Sequence, residues 1–155
     1  MIAVADAGPL HYLVLIGAVP VLEPLYKRLL VPKAVVAELQ EPNTPAMVRA
    51  WIAQPPQWCE IPPDPPFDPT LLFLDAGERA AITMAIAVGA DRLLIDEHAG
   101  RVECEKRHLP VIGTLGVLVE AHRGGLHDFE LALSRLRQTN FYVSDRLIAR
   151  VRQQL

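Results

Sequence analysis

Two aspartates follow short apolar runs, at points where a parallel α/β fold places its ligands. Asp6 follows the run Ile2 to Ala5, and Asp96 follows the run Leu93 to Ile95. Runs without polar alternation predict strands that are covered on both faces. Because open α/β sheets bind ligands at the carboxyl ends of their strands, both carboxylates are expected at one edge of a sheet. Each also has a local interpretation: Asp6 as the start of a turn, and Asp96 as a helix N-cap.

Glu78 lies at the start of an expected helix that runs from Asp75 to Val88. Asp75 precedes it by three residues, which is the spacing of a capping box. Glu78 shares a helical stripe with residues that should face inward, namely Ala81, Ile82, Ala85, Ile86 and Gly89. An acid at the end of such a face either closes the capping box and complements the helix dipole or serves a site. Both interpretations are open from this segment.

Glu38 lies on a second expected helix, Lys33 to Gln40. The apolar face of this helix consists of Val35, Val36 and Leu39. Because Glu38 lies at the margin of that face, the segment alone favours a solvated surface acid. The other three acids make Glu38 a candidate site residue.

The composition indicates one α/β domain over residues 1–155. Just over half of the residues (51%) are hydrophobic and 21% are charged, which excludes a disordered chain. A chain of this length buries a sizeable core but is too short for two ordinary domains. The net charge of −3 does not point to nucleic-acid binding, so such binding would depend on local patches and metal ions.

Cysteine content and hydropathy give an expectation about location. Cys59 and Cys104 are too few and too far apart for a zinc site, and they indicate a reducing compartment, the cytoplasm. The apolar stretch Leu10 to Val31 is interrupted by charged residues and prolines. Neither a signal peptide nor a membrane span is expected.

Strand and helix patterns alternate along the chain, which predicts a mostly parallel sheet between two helical layers. Further strands are expected at Leu29 to Val31, Trp58 to Ile61 and Pro110 to Ile112. Residues 54–69 are nearly half proline and predict a stiff surface connection. Thr44, Thr114 and Ser144 are the expected caps of later helices. The basic residues near the end of the chain are interpreted as a solvated face, with a phosphate-binding patch as the alternative: Arg135, Arg137, Arg146, Arg150 and Arg152.

Acids gathered at one sheet edge would repel each other. At an effective dielectric of 20, two carboxylates about 4 Å apart repel by roughly 4 kcal/mol. A divalent cation relieves this repulsion. Ligation by oxygen alone favours Mg²⁺ or Mn²⁺ over zinc, and these ions commonly act on phosphate oxygens.

Four segments of the sequence together resemble the PIN-domain nucleases, and within them the VapC-like toxins. The segments are VADAGPL (4–10), VPKAVVAEL (31–39), DAGERAAITMAIAVGADRLLIDEHAGR (75–101) and PVIGTLGVLVEAHRGGL (110–126). The resemblance implies a Rossmann-like three-layer α/β/α sandwich, an acidic pocket for Mg²⁺ or Mn²⁺, and metal-dependent cleavage of RNA. It also implies a protein antitoxin that blocks the pocket, and a homodimer or higher homo-oligomer.

The resemblance implies roles for single residues. Asp6, Glu78 and Asp96 correspond to metal ligands whose ions activate a water for attack on a phosphodiester, and Glu38 to an acid that ligates through water or accepts a proton. Many relatives carry aspartate at the third position, where this chain has Glu78. Glu97 follows Asp96 directly, so which of the pair reaches the metal is open. The weaker correspondences, with polar positions beside the pocket, are Arg101 and Thr114.

Three other functions were compared with the nuclease. A phosphorylated receiver domain expects paired acids after its first strand and a lysine after its last, and neither is present. A haloacid-type phosphatase requires an aspartate at position 8, where this chain has glycine. An inactive PIN-like scaffold that binds RNA or protein is the main alternative.

Overall fold

The computed structural model describes residues 1–66 and 68–155, and its centre is a parallel sheet of five strands in the order β3-β2-β1-β4-β5. All four strand pairings are parallel. The first strand of the chain is the central one, with β2 on one side and β4 on the other. The strands are β1 (Ile2–Ala5), β2 (Arg28–Leu30), β3 (Cys59–Glu60), β4 (Arg92–Leu94) and β5 (Val111–Ile112).

Nine α-helices in the described residues connect and cover these strands, in the alternating order that the sequence predicts. Their bounds are α1 (Ala7–Leu15), α2 (Leu22–Tyr26), α3 (Lys33–Leu39), α4 (Ala46–Ala53), α5 (Ala76–Val88), α6 (His98–Lys106), α7 (Thr114–Arg123), α8 (Phe129–Leu136) and α9 (Asp145–Arg152). Residues 19–21 form a 3₁₀ turn that leads directly into α2.

Both faces of the sheet are buried, and successive strand residues alternate between two apolar clusters. On β1, Ala3 and Ala5 belong to the larger cluster, with α1 and α7, whereas Val4 packs with α5. On β4 the alternation repeats, because Leu93 joins the α5 cluster and Leu94 the other. A parallel sheet enclosed in this way has no polar face, which explains the unbroken apolar runs. The expected three-layer α/β/α fold is confirmed.

Two expected helix caps are wrong. Pro45, not Thr44, is the N-cap of α4, and the Thr44 hydroxyl instead donates a hydrogen bond to the carbonyl of Glu38. Thr114 is the first residue of α7 and Gly113 is its N-cap. The caps by Asp75 and Ser144 are confirmed, since each side chain accepts a hydrogen bond from a backbone N–H three residues later.

Two other expectations need correction. Ile86 is 47% exposed and Gly89 is exposed too, although Ala81, Ile82 and Ala85 are fully buried as expected. The reason is that α5 buries Met84 instead, so its inward face is rotated slightly from the expected stripe. The strand expected at Trp58 to Ile61 is only two residues long, as the surrounding prolines would limit it.

The proline-rich connection packs against the start of α3. The Asp64 carboxylate accepts hydrogen bonds from the backbone N–H groups of Lys33 and Ala34, at 2.7 and 3.3 Å. These N–H groups have no partner within their own helix, so Asp64 fixes the helix that carries Glu38. Phe67 of this segment lies outside the described residues.

Within the described residues, no single helix has both the length and the hydropathy needed to cross a membrane. The helical segments Ala7–Leu15 and Val19–Tyr26 meet the length and hydropathy criteria only when taken together, and the chain bends by 120° between them.

Candidate functional site

Asp6 and Asp96 lie at the same edge of the sheet because β1 and β4 are neighbours in parallel register. Ala5 is paired with Leu94, and the Asp6 N–H donates to the Leu94 carbonyl at 2.9 Å. Both aspartates line one cavity of about 250 Å³. The cavity wall consists of Asp6, Ala7, Gly8, Tyr12, Glu38, Asp75, Glu78, Asp96, Glu97 and Phe141. The structure therefore brings all four candidate acids to one place.

The Asp96 carboxylate is held at both of its oxygens by Thr114. The backbone N–H of Thr114 donates to Oδ1 at 2.7 Å, and the Thr114 hydroxyl donates to Oδ2 at 2.6 Å. Thr114 is completely buried at the start of α7. Two short hydrogen bonds to a charged acceptor fix its orientation. This contact replaces the helix cap that was one interpretation of Asp96, because Glu97 is the N-cap of α6.

The Asp6 carboxylate is buried without an equivalent partner. Only 7% of Asp6 is exposed, and its Oδ1 atom has no hydrogen-bond partner among the residues that the structure describes. Burial raises the Asp6 pKa to about 7, and the neighbouring carboxylates of Glu38, Asp75 and Asp96 add to the rise. A buried oxygen without a donor costs roughly 1–3 kcal/mol, and more if it is charged. The site thus keeps an acceptor that the protein itself does not satisfy.

Glu78 lines the cavity from the first turn of α5 and is also only 7% exposed. Asp75 caps this helix, since its Oδ1 accepts the Glu78 N–H at 2.8 Å. Burial raises the Glu78 pKa above its usual range, with further contributions from Asp75, Asp6 and Glu97. Among the described residues no hydrogen bond returns from the Glu78 carboxylate to the backbone of Asp75. Glu78 therefore points into the cavity and does not close a capping box.

Glu38 reaches the cavity from α3 and lies close to Asp6. A Cβ atom added at Gly77 would lie 3.0 Å from Glu38 Oε2 and 3.3 Å from Asp6 Oδ1. Burial raises the pKa of Glu38, and the nearby charges of Asp75 and Glu41 raise it further. Glu38 is thus a partly buried member of the cluster, not the solvated acid that its own segment suggested.

The two weaker candidates occupy different surroundings. Thr114 contacts the site through Asp96, as described above. Arg101 lies outside the acidic cavity and lines an adjacent, larger cavity. Its Nη1 donates a hydrogen bond to the Ile95 carbonyl at 3.2 Å. Glu97 is exposed at the rim, whereas Asp96 is partly buried and held in place. Of this pair, Asp96 has the fixed geometry that a metal ligand requires.

Three residues of the site were not identified as candidates from the sequence. Asp75 lines the cavity as well as capping α5. Gly77 permits the close approach of Glu38 and Asp6. The Tyr12 side chain lines the cavity. Burial is the main cause of its raised pKa, and the charge of Asp96 raises the pKa further. Of these three residues, only Gly77 could have been noticed in the sequence, because glycine is disfavoured within helices.

The donor set fits a hard cation, but the oxygens do not surround a single point. Six carboxylates and no basic side chain line the cavity, and Asp6 Oδ1 lacks a donor. Oxygen ligands of this type suit Mg²⁺ or Mn²⁺. Across residues 1–66 and 68–155, however, no three Asp, Glu, His or Cys side chains stand close enough to ligate one ion as they are placed. To hold a metal, the Asp6 and Glu78 side chains would have to move towards the Asp96 carboxylate, which Thr114 holds in place.

Comparison with known proteins identifies the family. The sequence profile of a PIN-domain family, DUF3368, matches residues 2–155. The chain belongs to this PIN-domain family. PIN domains are a family of nucleases, and the parallel sheet order found here is PIN-like. No curated protein matches the sequence significantly.

Proposed function

We propose that this PIN domain is an Mg²⁺- or Mn²⁺-dependent endoribonuclease. The observation that carries the proposal is the cavity lined by six carboxylates and no basic side chain, at the strand ends where α/β folds bind ligands. Ionised carboxylates in this cavity repel a phosphate, and a bound cation would offset that repulsion. Membership of a nuclease family supplies the reaction class.

The site residues divide the work by their surroundings. Asp96, held by Thr114, provides a fixed ligand, and Asp6 provides an unsatisfied buried oxygen. Glu78 completes the ligand set from α5. Glu38, less buried and with a raised pKa, is placed to accept a proton from the attacking water. When bound, Mg²⁺ or Mn²⁺ lowers the pKa of a water and neutralises charge on the phosphate.

We further propose that the enzyme is the VapC-like toxin of a toxin–antitoxin pair and acts in the cytoplasm. The sequence resemblance to that branch supports this proposal. A protein antitoxin that fills the acidic cavity would suppress the activity.

The alternative is an inactive PIN scaffold that binds RNA or protein. One observation favours it: no three ligating side chains among the described residues gather around one point. The nuclease is the better-supported function because the chain belongs to a nuclease family and six carboxylates line the cavity, but it requires side-chain rotations that gather three of them around one ion.

The experiment is a cleavage assay on a panel of structured RNAs, with EDTA, Mg²⁺ or Mn²⁺. We expect cleavage only with metal, and a loss of at least 100-fold in Asp6→Asn and Asp96→Asn. Asp145→Asn, which changes a fully exposed carboxylate on α9, is the matched control and should retain full activity. Cleavage that persists in both site variants would indicate a contaminating nuclease. No cleavage by the wild-type protein under any condition would favour the scaffold.

A further inference from the structure

A second cavity of about 740 Å³ opens beside the acidic one, at the β5 edge of the sheet. Asp96 and Phe141 line both cavities, so the two spaces adjoin. We call the larger one the β5 groove. Its wall combines apolar side chains of β5, α7 and α9 with three basic residues, His98, Arg101 and Arg150. The charge of the lining thus changes sign from the acidic cavity to the groove.

Arg150 is available for a ligand. Two neighbouring arginines have carboxylate partners, since Arg152 pairs with Glu130 at 2.8 Å and Arg137 with Asp145 at 3.7 Å. Arg150 forms no ion pair with any residue that the structure describes. An unpaired guanidinium that lines a groove is suited to a phosphate.

An aromatic ring stands at the same groove with almost none of its surface covered. Tyr142 is 87% exposed, although the residue before it is firmly held. Phe141 packs edge-on against Tyr12 with ring centroids 4.9 Å apart, and the Tyr12 hydroxyl donates to Asn140 at 2.7 Å. The loop between α8 and α9 therefore presents a tyrosine that contributes little to the core.

We propose that the β5 groove holds the single-stranded RNA that flanks the scissile phosphate, with one base stacked on Tyr142 and one phosphate on Arg150. The proposal rests on the proposed nuclease function, because the acidic cavity defines where the scissile phosphate lies. Stacking on an exposed aromatic ring requires an unpaired base. The groove therefore selects single strands over duplexes, and its apolar wall accommodates the base.

The test measures binding of a fluorescent 12-nucleotide single-stranded RNA of mixed sequence to the full chain. Fluorescence anisotropy is recorded with Ca²⁺ in place of Mg²⁺, and a gel shows that the RNA stays intact. We expect Tyr142→Ala to weaken binding about tenfold and Tyr142→Phe to retain it, because stacking needs only the ring. Arg150→Ala should lower the slope of log affinity against log salt by about 0.7, the value for one phosphate contact on a single strand.

The control is Arg123→Ala, which removes the same charge at the far end of α7 and lines neither cavity. It should bind like the wild-type protein, and the RNA in duplex form should bind at least tenfold more weakly than the single strand. RNA affinity unchanged in Tyr142→Ala and Arg150→Ala would overturn the proposal, and so would a wild-type protein that does not bind RNA. That first result would also be expected if the groove holds a protein segment instead.

The two proposals fail separately. Metal-dependent cleavage by a wild-type protein whose groove variants bind RNA normally would contradict the groove proposal alone. RNA binding that depends on Tyr142 and Arg150, in a protein that never cleaves, would contradict the nuclease and leave the groove as an RNA-binding site.

Discussion

Asp6 and Asp96 occupy equivalent places at the ends of neighbouring strands, but the protein treats their charges differently. Asp96 receives two hydrogen bonds from Thr114, whereas Asp6 Oδ1 receives none. A cation bound between them would have Asp96 as a preoriented ligand. It would also give the buried Oδ1 atom of Asp6 the partner that it lacks.

Thr114→Val should weaken Mn²⁺ binding about 10- to 100-fold, which is the usual cost of removing a partner that orients a metal ligand. The substitution removes the hydroxyl that holds Asp96 Oδ2 and leaves the backbone bond to Oδ1. Isothermal titration calorimetry with Mn²⁺ provides the measurement. Thr83→Val, which removes a hydroxyl bond inside α5 away from the cavity, is the control. Equal affinities in all three proteins would contradict this role of Thr114.

The metal-free protein should lose stability as pH rises. Asp6 has a pKa of about 7 in the folded protein and an ordinary value of 3.8. The folded state therefore holds a proton that the unfolded chain releases more easily, and the free energy of unfolding falls between about pH 4 and pH 7. We expect Asp6 to contribute a loss on the order of 2–3 kcal/mol between pH 5 and pH 8 in EDTA, and Glu78, whose pKa is also raised, to add a loss of the same sign.

Urea unfolding at the two pH values provides the test. Asp6→Asn should show a clearly smaller loss, because its amide does not titrate, and Asp145→Asn should behave like the wild-type protein. A wild-type stability that rises with pH, or an Asp6→Asn variant with the same slope, would contradict the assignment to Asp6.

At the scale of secondary-structure elements, the start of α5 assembles much of the site. Asp75 and Glu78 both line the cavity from this turn, and Gly77 between them allows Glu38 and Asp6 to approach. Replacing a helical glycine with alanine normally stabilises a helix by about 0.5–1 kcal/mol. Here the added Cβ would lie 3.0 Å from Glu38 Oε2 and 3.3 Å from Asp6 Oδ1, so both carboxylates would have to shift by a few tenths of an ångström.

Gly77→Ala should therefore lower Mn²⁺ affinity and RNA cleavage at least tenfold while the melting temperature of the metal-free protein changes little. Gly116→Ala provides the contrast. Its Cβ would lie 2.6 Å from Ile112 Cγ1 and contact no acid, so it should lower the melting temperature and leave Mn²⁺ affinity unchanged. Full metal affinity in Gly77→Ala would show that the acids do not depend on this close approach.

The elements also show which features could be predicted from the sequence. Apolar runs followed by Asp6 and Asp96 predicted the parallel strands and the shared sheet edge, because strand burial and strand-end ligands are local signals. The hydrogen bond between Thr114 and Asp96 could not be predicted from the sequence, because the two residues are 18 positions apart in the chain. Tyr142 was missed for a similar reason: only the docking of Phe141 against Tyr12 brings its loop to the site.

At the scale of the whole molecule, charge is separated into regions that the net charge conceals. The chain carries only −3 overall, yet six carboxylates line one cavity and basic residues line the adjoining groove. A metal-dependent enzyme acting on a polyanion needs both regions, one for the cation and one for the strand. The −3 average therefore gave no indication of the groove.

We propose that the chain self-associates, as the family resemblance implies, and that apolar side chains exposed near the two ends of α5 take part in the contact. Phe73 is 64% exposed just before α5, and Ile86 is 47% exposed near its end. Contiguous exposed apolar patches commonly mark contacts with other chains, whereas single exposed apolar side chains are normal, so the proposal needs a direct test. We expect light scattering after size exclusion to give a mass that is a multiple of 17.1 kDa. Phe73→Ser combined with Ile86→Ser should shift the mass towards a monomer, and a wild-type monomer at micromolar concentration would contradict self-association through this surface.

The central claim is that Asp6, Glu78 and Asp96 together ligate a divalent cation. The most direct measurement is anomalous diffraction at the manganese edge from crystals grown with Mn²⁺ near pH 8. We predict a peak within coordination distance of Asp6 Oδ1 and of an Asp96 oxygen, absent from crystals of Asp6→Asn. A map of the wild-type protein with no peak in the acidic cavity, or with Mn²⁺ bound only elsewhere, would contradict the claim.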